Sequence, residues 1–585
     1  MDERKESYGM NIFDFKMYTS GMNPGAQAPE RKVRQPKPPK GGPVFRVVIS
    51  LLITLIFGGI YFYLKLPALN IHSEGLYSFV ILLCIVFSVC MILLQGFRSS
   101  SVKEYVGYTR KKLAVPFVIV VLSILVMVVG SIVGWVVFRA KAYSELMPMT
   151  TGDFAAEVSE IGWSQIPLLD EDSANNLANR KLGELSDLVS QFEVDDASAQ
   201  INYQGNPVRV NYLNYSDFFK WWNNRGDGIP AYIRIDMRSQ DVEVVRLEEG
   251  IKYSPSEYFN RNLLRHLRFQ YPTLMFDDVN FEINDEGTPY WIASVLTKRI
   301  GLFGGADIDG AVLVNAVTGE SQYYDIGDVP SWVDRVYSSD LIVDQYDYYG
   351  IYHNGFWNSL FGQKDCTETT DGFNYIAQND DVWLYTGITS VTGDRGNIGF
   401  ILVNQRTKEA RYYSCAGAEE YSAASSAEGA VQQFSYKATF PLLLNISDQP
   451  TYFMALKDAA GLVKMYAMVN VQQYQIVATG NTVSDCQQKY HELLIENQIL
   501  AEEEPEPEPE VELLKTSGKI EEIRSANIDG NTIYYLRLEK ETVYYTVSAK
   551  EYPMAVILNV GDRVDISYAP SDETLVGAEE LEIKK

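Results

Sequence analysis

The segment Leu313-Val314-Asn315-Ala316-Val317-Thr318-Gly319-Glu320-Ser321-Gln322-Tyr323-Tyr324 recurs without a gap as Leu402-Val403-Asn404-Gln405-Arg406-Thr407-Lys408-Glu409-Ala410-Arg411-Tyr412-Tyr413. Recurrence of this kind restricts a chain to copies of one supersecondary unit rather than a single large core. Each copy follows an aromatic strand, Pro289-Tyr290-Trp291-Ile292 or Asp381-Val382-Trp383-Leu384. Trp291, Asn315, Thr318 and Glu320 are therefore read as the structural counterparts of Trp383, Asn404, Thr407 and Glu409. A worn third copy runs from Pro450-Thr451-Tyr452-Phe453 to Met468-Val469-Asn470-Val471 and lacks the Thr-Gly-Glu turn, as a terminal repeat often does.

Three apolar runs, roughly 47–64, 76–94 and 115–138, are each about as long as the 20 residues that cross a bilayer. No signal-peptide pattern precedes the first, so that span is expected to act as its own insertion signal. Lysine and arginine set the orientation. Arg31, Lys32, Arg34, Lys37, Lys40 and Arg46 precede the first run, and Arg98, Lys103, Arg110, Lys111 and Lys112 separate the second from the third, whereas the first and second are separated by Lys65 alone. The expected topology has the N-terminus in the cytoplasm and everything beyond residue 141 outside, in a multi-pass cell-membrane protein. Arg139 and Lys141 oppose this but are outnumbered. The spans carry no Asp, Glu, Lys or Arg, so they lack the usual marker of an ion or proton pathway and read as an anchor.

The net charge of −26 conceals two environments. Residues 1–150 hold 17 basic and 8 acidic side chains, while the remainder holds 33 and 68. A strongly acidic ectodomain repels polyanions, which excludes nucleic acid as a partner. The expected partners are the lipid bilayer and a cell-wall polymer or another envelope protein. The five cysteines include no CxxC pair, and the sequence leaves open whether Cys366, Cys415 and Cys486 form a disulfide.

Past residue 150 the pattern alternates helix and hairpin. Helical periodicity spans 173–188; strands follow at 199–203, 208–210, 232–236 and 242–246. Ser254-Pro255-Ser256-Glu257 reads as the capped start of a helix reaching about Phe269, ahead of strands 279–283, 290–295 and 311–316. This order, closing on Val314-Asn315-Ala316-Val317-Thr318-Gly319-Glu320, resembles the PepSY domain, a small extracytoplasmic α/β module whose repeats commonly close on V-D-A-x-T-G-E. Asn315 stands where that pattern has Asp, and the second copy has Lys408 in place of Gly319. The resemblance implies an extracytoplasmic role, with regulation of a protease as one option. After an alternating Glu/Pro linker, residues 513–585 supply five strand candidates and an Asp529-Gly530 hairpin signal. They resemble a small OB-type barrel, with an open sheet as the alternative.

The fold class expected is α+β: three transmembrane helices, then repeated helix/antiparallel-hairpin units and a small C-terminal β-barrel. The segments are 1–43, a disordered basic cytoplasmic tail; 44–141, the membrane region; 150–250, a first α/β unit; and 251–340, a PepSY-like unit. Then come 341–440, a second repeat with an aromatic insertion; 441–500, a degenerate repeat and helix; 501–512, the linker; and 513–585, the OB-like domain.

Reactive constellations are missing from the sequence. The four histidines are scattered, and no HExxH, GxSxG, P-loop or GxGxxG occurs, so no catalytic residue, metal ligand or cofactor is expected. Gly304-Gly305-Ala306-Asp307-Ile308-Asp309-Gly310 reads as a hairpin turn rather than a calcium loop, because no closing Glu follows. Asp277, Asp278 and Glu282 are the candidates if the protein is instead a cell-wall hydrolase or its accessory subunit. The candidate binding residues are Tyr348, Tyr349, Tyr352, Phe356 and Trp357, in an aromatic-dense stretch that reads either as a contact platform or as a core plug. The function expected is a non-catalytic, membrane-anchored binding or scaffold protein of the bacterial cell envelope.

Overall fold

The computed structural model describes residues 42–95, 102–160, 166–378, 380–392, 396–501, 514–528, 531–568 and 574–584. The basic tail, the Glu/Pro linker and Asp529-Gly530 lie outside or almost wholly outside them. The described residues form two compact units, divided between Leu493 and Leu494.

Three helices, α1 (Pro43–Lys65), α2 (Glu74–Gln95) and α3 (Val102–Val133), are long and apolar enough to cross a membrane. The third stops at Val133, not at Phe138 as the hydropathy run suggested. Gly134 and Trp135 break it, and Phe138 belongs to a separate helix, α4 (Val136–Ser144). The cause is a hairpin tip pressed against the helix end. A Cβ on Gly130 would lie 2.7 Å from the Phe303 ring, and one on Gly134 would lie 3.1 Å from the Ile300 carbonyl. Only glycine permits that approach. The tip therefore rests directly on the end of α3.

A short strand β1 (Thr150–Gly152) and helix α5 (Phe154–Glu157) lead into four helix-plus-sheet layers. The first has α6 (Glu171–Gly183), capped by the Asp170 carboxylate, and strands β2 (Phe192–Tyr203), β3 (Asn206–Tyr215), β4 (Ile229–Asp236) and β5 (Val242–Ile251), with α7 (Phe218–Asn224) between β3 and β4. The second has α8 (Leu263–Gln270), then β6 (Met275–Ile283), β7 (Pro289–Ile300), β8 (Gly304–Asn315) and β9 (Ser321–Asp325).

The third layer has α9 (Ser339–Tyr352), β10 (Thr367–Thr369), β11 (Asn374–Gln378), β12 (Asp381–Ser390), β13 (Gly396–Asn404) and β14 (Ala410–Ala418), with β1 added in parallel at its edge. The fourth has α10 (Glu420–Ala430), β15 (Lys437–Ala438), β16 (Leu442–Ile446), β17 (Gln449–Lys457), β18 (Val463–Asn470) and β19 (Val477–Gly480), followed by α11 (Val483–Glu496). In each layer the main strands pair antiparallel in chain order.

Two expectations need correction here. The helix placed from Ser254 is only α8; Asn262 caps it through the Arg265 amide at 3.3 Å, because Ser254 instead accepts from Leu263 N and turns the chain back on itself. Gly304–Gly310 is not a turn but the start of β8, where Asp307 pairs with Lys408 and Arg299.

One turn geometry appears at the end of the third main strand of every layer. Asn315 Oδ1 accepts from the amides of Val317 and Thr318, both at 2.9 Å, and Asn404 Oδ1 accepts from Arg406 and Thr407, both at 2.9 Å. Thr318 and Thr407 hydroxyls then accept from the Glu320 and Glu409 amides. Asn470 makes the same two amide contacts, and Asp236 makes them to Arg238 and Ser239. The next residue is buried, and its carbonyl accepts from the segment leading into that layer's own helix: Met237 from Leu168, Ala316 from Tyr253, Gln405 from Tyr337, Val471 from Ala418. Each layer is thereby closed on itself by a short polar side chain that supplies its own backbone turn. Gly319 and Lys408 share the left-handed position of this turn, at φ 76° and 62°.

The two tryptophans do not share a position. Trp383 pairs with Asn404, whereas Asn315 pairs with Tyr290 and Trp291 pairs with Val314. A one-residue offset sends side chains to opposite faces. Trp291 enters a core shared by the first and second sheets, with Tyr212, Phe281 and Val314. Ile292 and Leu313, on the other face of the second sheet, join Leu384, Ile401 and Val403 of the third. The second sheet is therefore covered on both sides.

In the C-terminal unit, β20 (Leu514–Ile528), β21 (Asn531–Leu538), β22 (Tyr544–Ser548), β23 (Arg563–Tyr568) and β24 (Leu575–Lys584) close in the order β20-β21-β22-β24-β23. The long β20 makes closure possible, since its first half pairs with β23 and its second half with β21.

Candidate functional site

The aromatic stretch divides where α9 ends. Ser338 caps the helix through the Leu341 amide, and Leu341, Ile342 and Tyr346 are buried in the core between the second and third sheets. Tyr348, Tyr349, Tyr352 and Phe356 are half-buried, and Trp357 is exposed. Tyr348 meets Tyr143 of α4 edge-on at 4.8 Å, and Tyr348, Tyr352 and Phe356 stack in succession along the helix face. Beyond a turn at Gly355, a single π-turn, Asn358–Gly362, carries Leu360 and Phe361 outward. Asp347, half-buried on this helix, is pushed up to about 6 by desolvation, although it accepts from Thr369 N at 2.8 Å. The first half of the stretch is thus packed and the second half is surface.

A second aromatic cluster escaped the sequence reading, although Phe218-Phe219-Lys220-Trp221-Trp222 and Tyr258-Phe259 are visible there. Asp217 caps α7 and sets both tryptophans beside the loop before α8. Trp221 Nε1 donates to Glu257 Oε2 at 2.7 Å, and Tyr215 Oη donates to Glu257 Oε1 at 3.0 Å. Glu257 is buried, and desolvation raises its pKa against these two bonds. The Arg225 guanidinium lies 3.6 Å from the Trp222 ring centroid. Trp222, Arg225, Tyr258, Phe259 and Arg261 border a cleft of about 420 Å³. Arg225 and Gly226, in the turn closing α7, contribute to this wall. Both Glu257 oxygens are occupied by protein donors, so the carboxylate fixes the aromatic wall rather than offering a proton-transfer group.

The three candidate carboxylates do not converge on an open site. Asp277 accepts from Ser338 Oγ at 2.8 Å. Asp278 is exposed, and partial desolvation with the neighbouring Asp277 raises its pKa. Glu282 is fully buried, where it accepts from the amides of Asp334 and Arg335 at 2.9 and 3.0 Å. Desolvation pushes it up to about 7, and Asp334, buried beside it, is raised as well. No substrate reaches a carboxylate so enclosed.

Among the described residues, no group of three or more His, Cys, Asp or Glu side chains is arranged to hold a metal ion. Cys366, Cys415 and Cys486 are free and buried. Asn315, Thr318, Glu320, Asn404, Thr407 and Glu409 all lie in the closing turns: the Asn and Thr side-chain oxygens hold the turn backbone, Asn404 Nδ2 also donates to Asp381, and the Glu409 carboxylate pairs with Arg411. Comparison with protein-family models and with curated proteins finds no match for this chain.

Proposed function

We propose that the protein is a non-catalytic, membrane-anchored binding or scaffold protein of the bacterial cell envelope, with its sheets and C-terminal domain outside the membrane. The observation that carries this reading is how the sheets meet the apolar helices. Arg265 Nε donates to the Tyr63 carbonyl at 3.2 Å, Arg268 Nε to the Leu66 carbonyl at 3.0 Å, and Leu69 N to the Pro272 carbonyl at 2.8 Å. All three bonds lie where α1 ends, at the end away from Arg46 and Arg110–Lys112. The basic-residue asymmetry then puts the sheets on the extracytoplasmic side.

The recurrence of one closing turn in all four layers supports reading them as copies of a PepSY-like module, and the strand order supports an OB-like C-terminal barrel. For the partner we favour a wall glycan at the Trp222 cleft. Flat aromatic faces suit the C–H faces of sugar rings, and Arg225 and Arg261 supply donors for hydroxyls.

A reporter active only outside the membrane, fused after Lys585, is expected to give signal. A cytoplasmic signal there would reverse the topology. Purified wall glycan is expected to sediment with the protein, and Trp222→Ala to reduce that capture at least several-fold with an unchanged melting temperature.

A further inference from the structure

We propose that the ridge Phe356–Phe361 is a second membrane contact, inserted side-on into the interfacial layer of the bilayer that the three apolar helices cross. The proposal rests on reading those helices as membrane spans.

The direction of α9 carries the argument. Leu341 and Ile342 pack with Ile308, Ala311 and Leu313 of β8. One turn later, Gln345 Nε2 donates to the Ala306 carbonyl at 2.8 Å. Tyr348 packs with Ile300 and Tyr143, and with Val136 of α4. Along α9 the contacts move steadily down the β7–β8 hairpin toward its tip. At that tip Phe303 meets Tyr77 of α2 edge-on at 5.8 Å, and His72 Nδ1 lies 2.9 Å from the Leu302 carbonyl. Tyr348 is therefore already beside the first residues that leave α3. A helix advances about 1.5 Å per residue, so the residues after Tyr352 reach the level of the membrane helix ends.

The chemistry at that level suits lipid. Trp357, Leu360 and Phe361 are 65%, 55% and 77% exposed, although they follow a well-packed helix. The Trp357 and Phe361 rings stack at 5.9 Å with planes only 8° apart, which makes one continuous apolar blade. Trp135 and Phe138, at the end of α3, are exposed too and stand ring to edge at 6.2 Å. On the α1 side, Phe269 touches Phe62 and Tyr63. Aromatic side chains collected at a single depth beside membrane helices form the belt expected of a bilayer interface. The exposed blade thus lies on the side of the sheets toward which α9 runs, that of the apolar helices, which favours lipid over a soluble partner.

The test uses the full chain in liposomes with Cys84→Ala and Cys90→Ala, since Cys366, Cys415 and Cys486 are buried. A nitroxide is attached at Phe361→Cys, at Leu122→Cys within α3, and at Ala460→Cys in the exposed β17–β18 turn. Accessibility to lipid-soluble oxygen and to an aqueous nickel complex is then compared. The oxygen-to-nickel ratio at 361 is expected to stand several-fold above that at 460 and near that at 122. A water-like ratio at 361 with a lipid-like one at 122 would overturn the ridge while leaving the anchor intact. Low accessibility to both probes at 361 would mean a protein cover, such as a second copy, and would also overturn it. A water-like ratio at 122 would remove the anchor reading itself.

Discussion

Glu282 and Asp334 face each other with no solvent contact: the Asp334 amide donates to Glu282 Oε2 at 2.9 Å, and the Asp334 carboxyl in turn accepts from Asn202 N at 2.6 Å. The pair thus ties together the second sheet, its exit loop and the first sheet. Two carboxyls so close and so desolvated cannot both ionise. The folded state therefore holds a proton that the unfolded chain has released above the ordinary Glu value of 4.5. The stability this pair contributes is fully present below the ordinary carboxylate values and falls as pH rises through about 7. Melting of the detergent-purified protein at pH 5 and pH 8 measures the fall, and Glu282→Gln is expected to lessen it. A wild-type melting temperature that does not fall between these two values would contradict this account.

The two repeat tryptophans are expected to respond differently to loss of the indole N–H. Trp291 Nε1 donates to the Tyr253 carbonyl at 2.8 Å, whereas Trp383 Nε1 is buried with no partner among the described residues. Trp291→Phe leaves that carbonyl short of a donor and should cost roughly 1–3 kcal/mol. Trp383→Phe loses no such bond and should cost clearly less. Urea unfolding of both variants compares them; equal losses would mean that the indole of Trp383 is held by something else.

Lys408 explains a departure from the Thr-Gly-Glu pattern. Its backbone takes the left-handed position that Gly319 fills elsewhere, and its ammonium reaches Asp307 Oδ1 at 2.6 Å and the Leu146 carbonyl at 3.1 Å. The strain at φ 62° is offset by a largely buried ion pair between the third and second sheets. Lys408→Met keeps the length, leaves Asp307 with Arg299 and Gln345, and is expected to destabilise by roughly 3 kcal/mol. Lys408→Gly recovers about 1 kcal/mol of that through backbone relief. Should the Gly variant melt lower than the Met variant, the turn is not under strain.

The buried thiols should be inert in the folded protein. Desolvation pushes Cys415 up to about 11 and Cys486 up to about 12, and raises Cys366 as well. The thiolate is the reactive form, so little is present at neutral pH. A maleimide is expected to modify these three residues only after denaturation. Rapid labelling of any of them in the native protein would mean that its layer opens locally.

Periodicity and charge revealed much of this architecture and missed specific parts of it for physical reasons. The membrane helices were visible because apolar length is a property of the segment alone. The end of α3 was not, because it is set by Phe303 and Ile300, which lie far along the chain from Gly130 and Gly134. The closing turns at Asn315 and Asn404 could be found by similarity. Asp236-Met237-Arg238-Ser239-Gln240-Asp241 makes the same bonds with scarcely a shared residue, since the turn demands a side-chain oxygen at its first position rather than one sequence, and the Asn470 turn keeps that oxygen without the hydroxyl or the left-handed φ. The offset between Trp291 and Trp383 was hidden because strand register is fixed between strands. Glu257 looked like part of a helix start, and only its partners Trp221 and Tyr215 reveal that it props an aromatic wall.

The parallel strand β1 has a consequence for biogenesis. Thr150 follows the membrane helices almost at once, yet its hydroxyl bonds to the Ala410 carbonyl 260 positions later. During synthesis the anchor is complete while the strand that β1 must join has yet to be translated. Two further layers and most of a third must leave the ribosome first, and such distant pairing is slow to form. Until then Thr150–Gly152 is an unpaired edge held close to the apolar helices. The pairing of β1 therefore waits until the third layer is nearly complete, while the fourth layer and the C-terminal unit are still to be made.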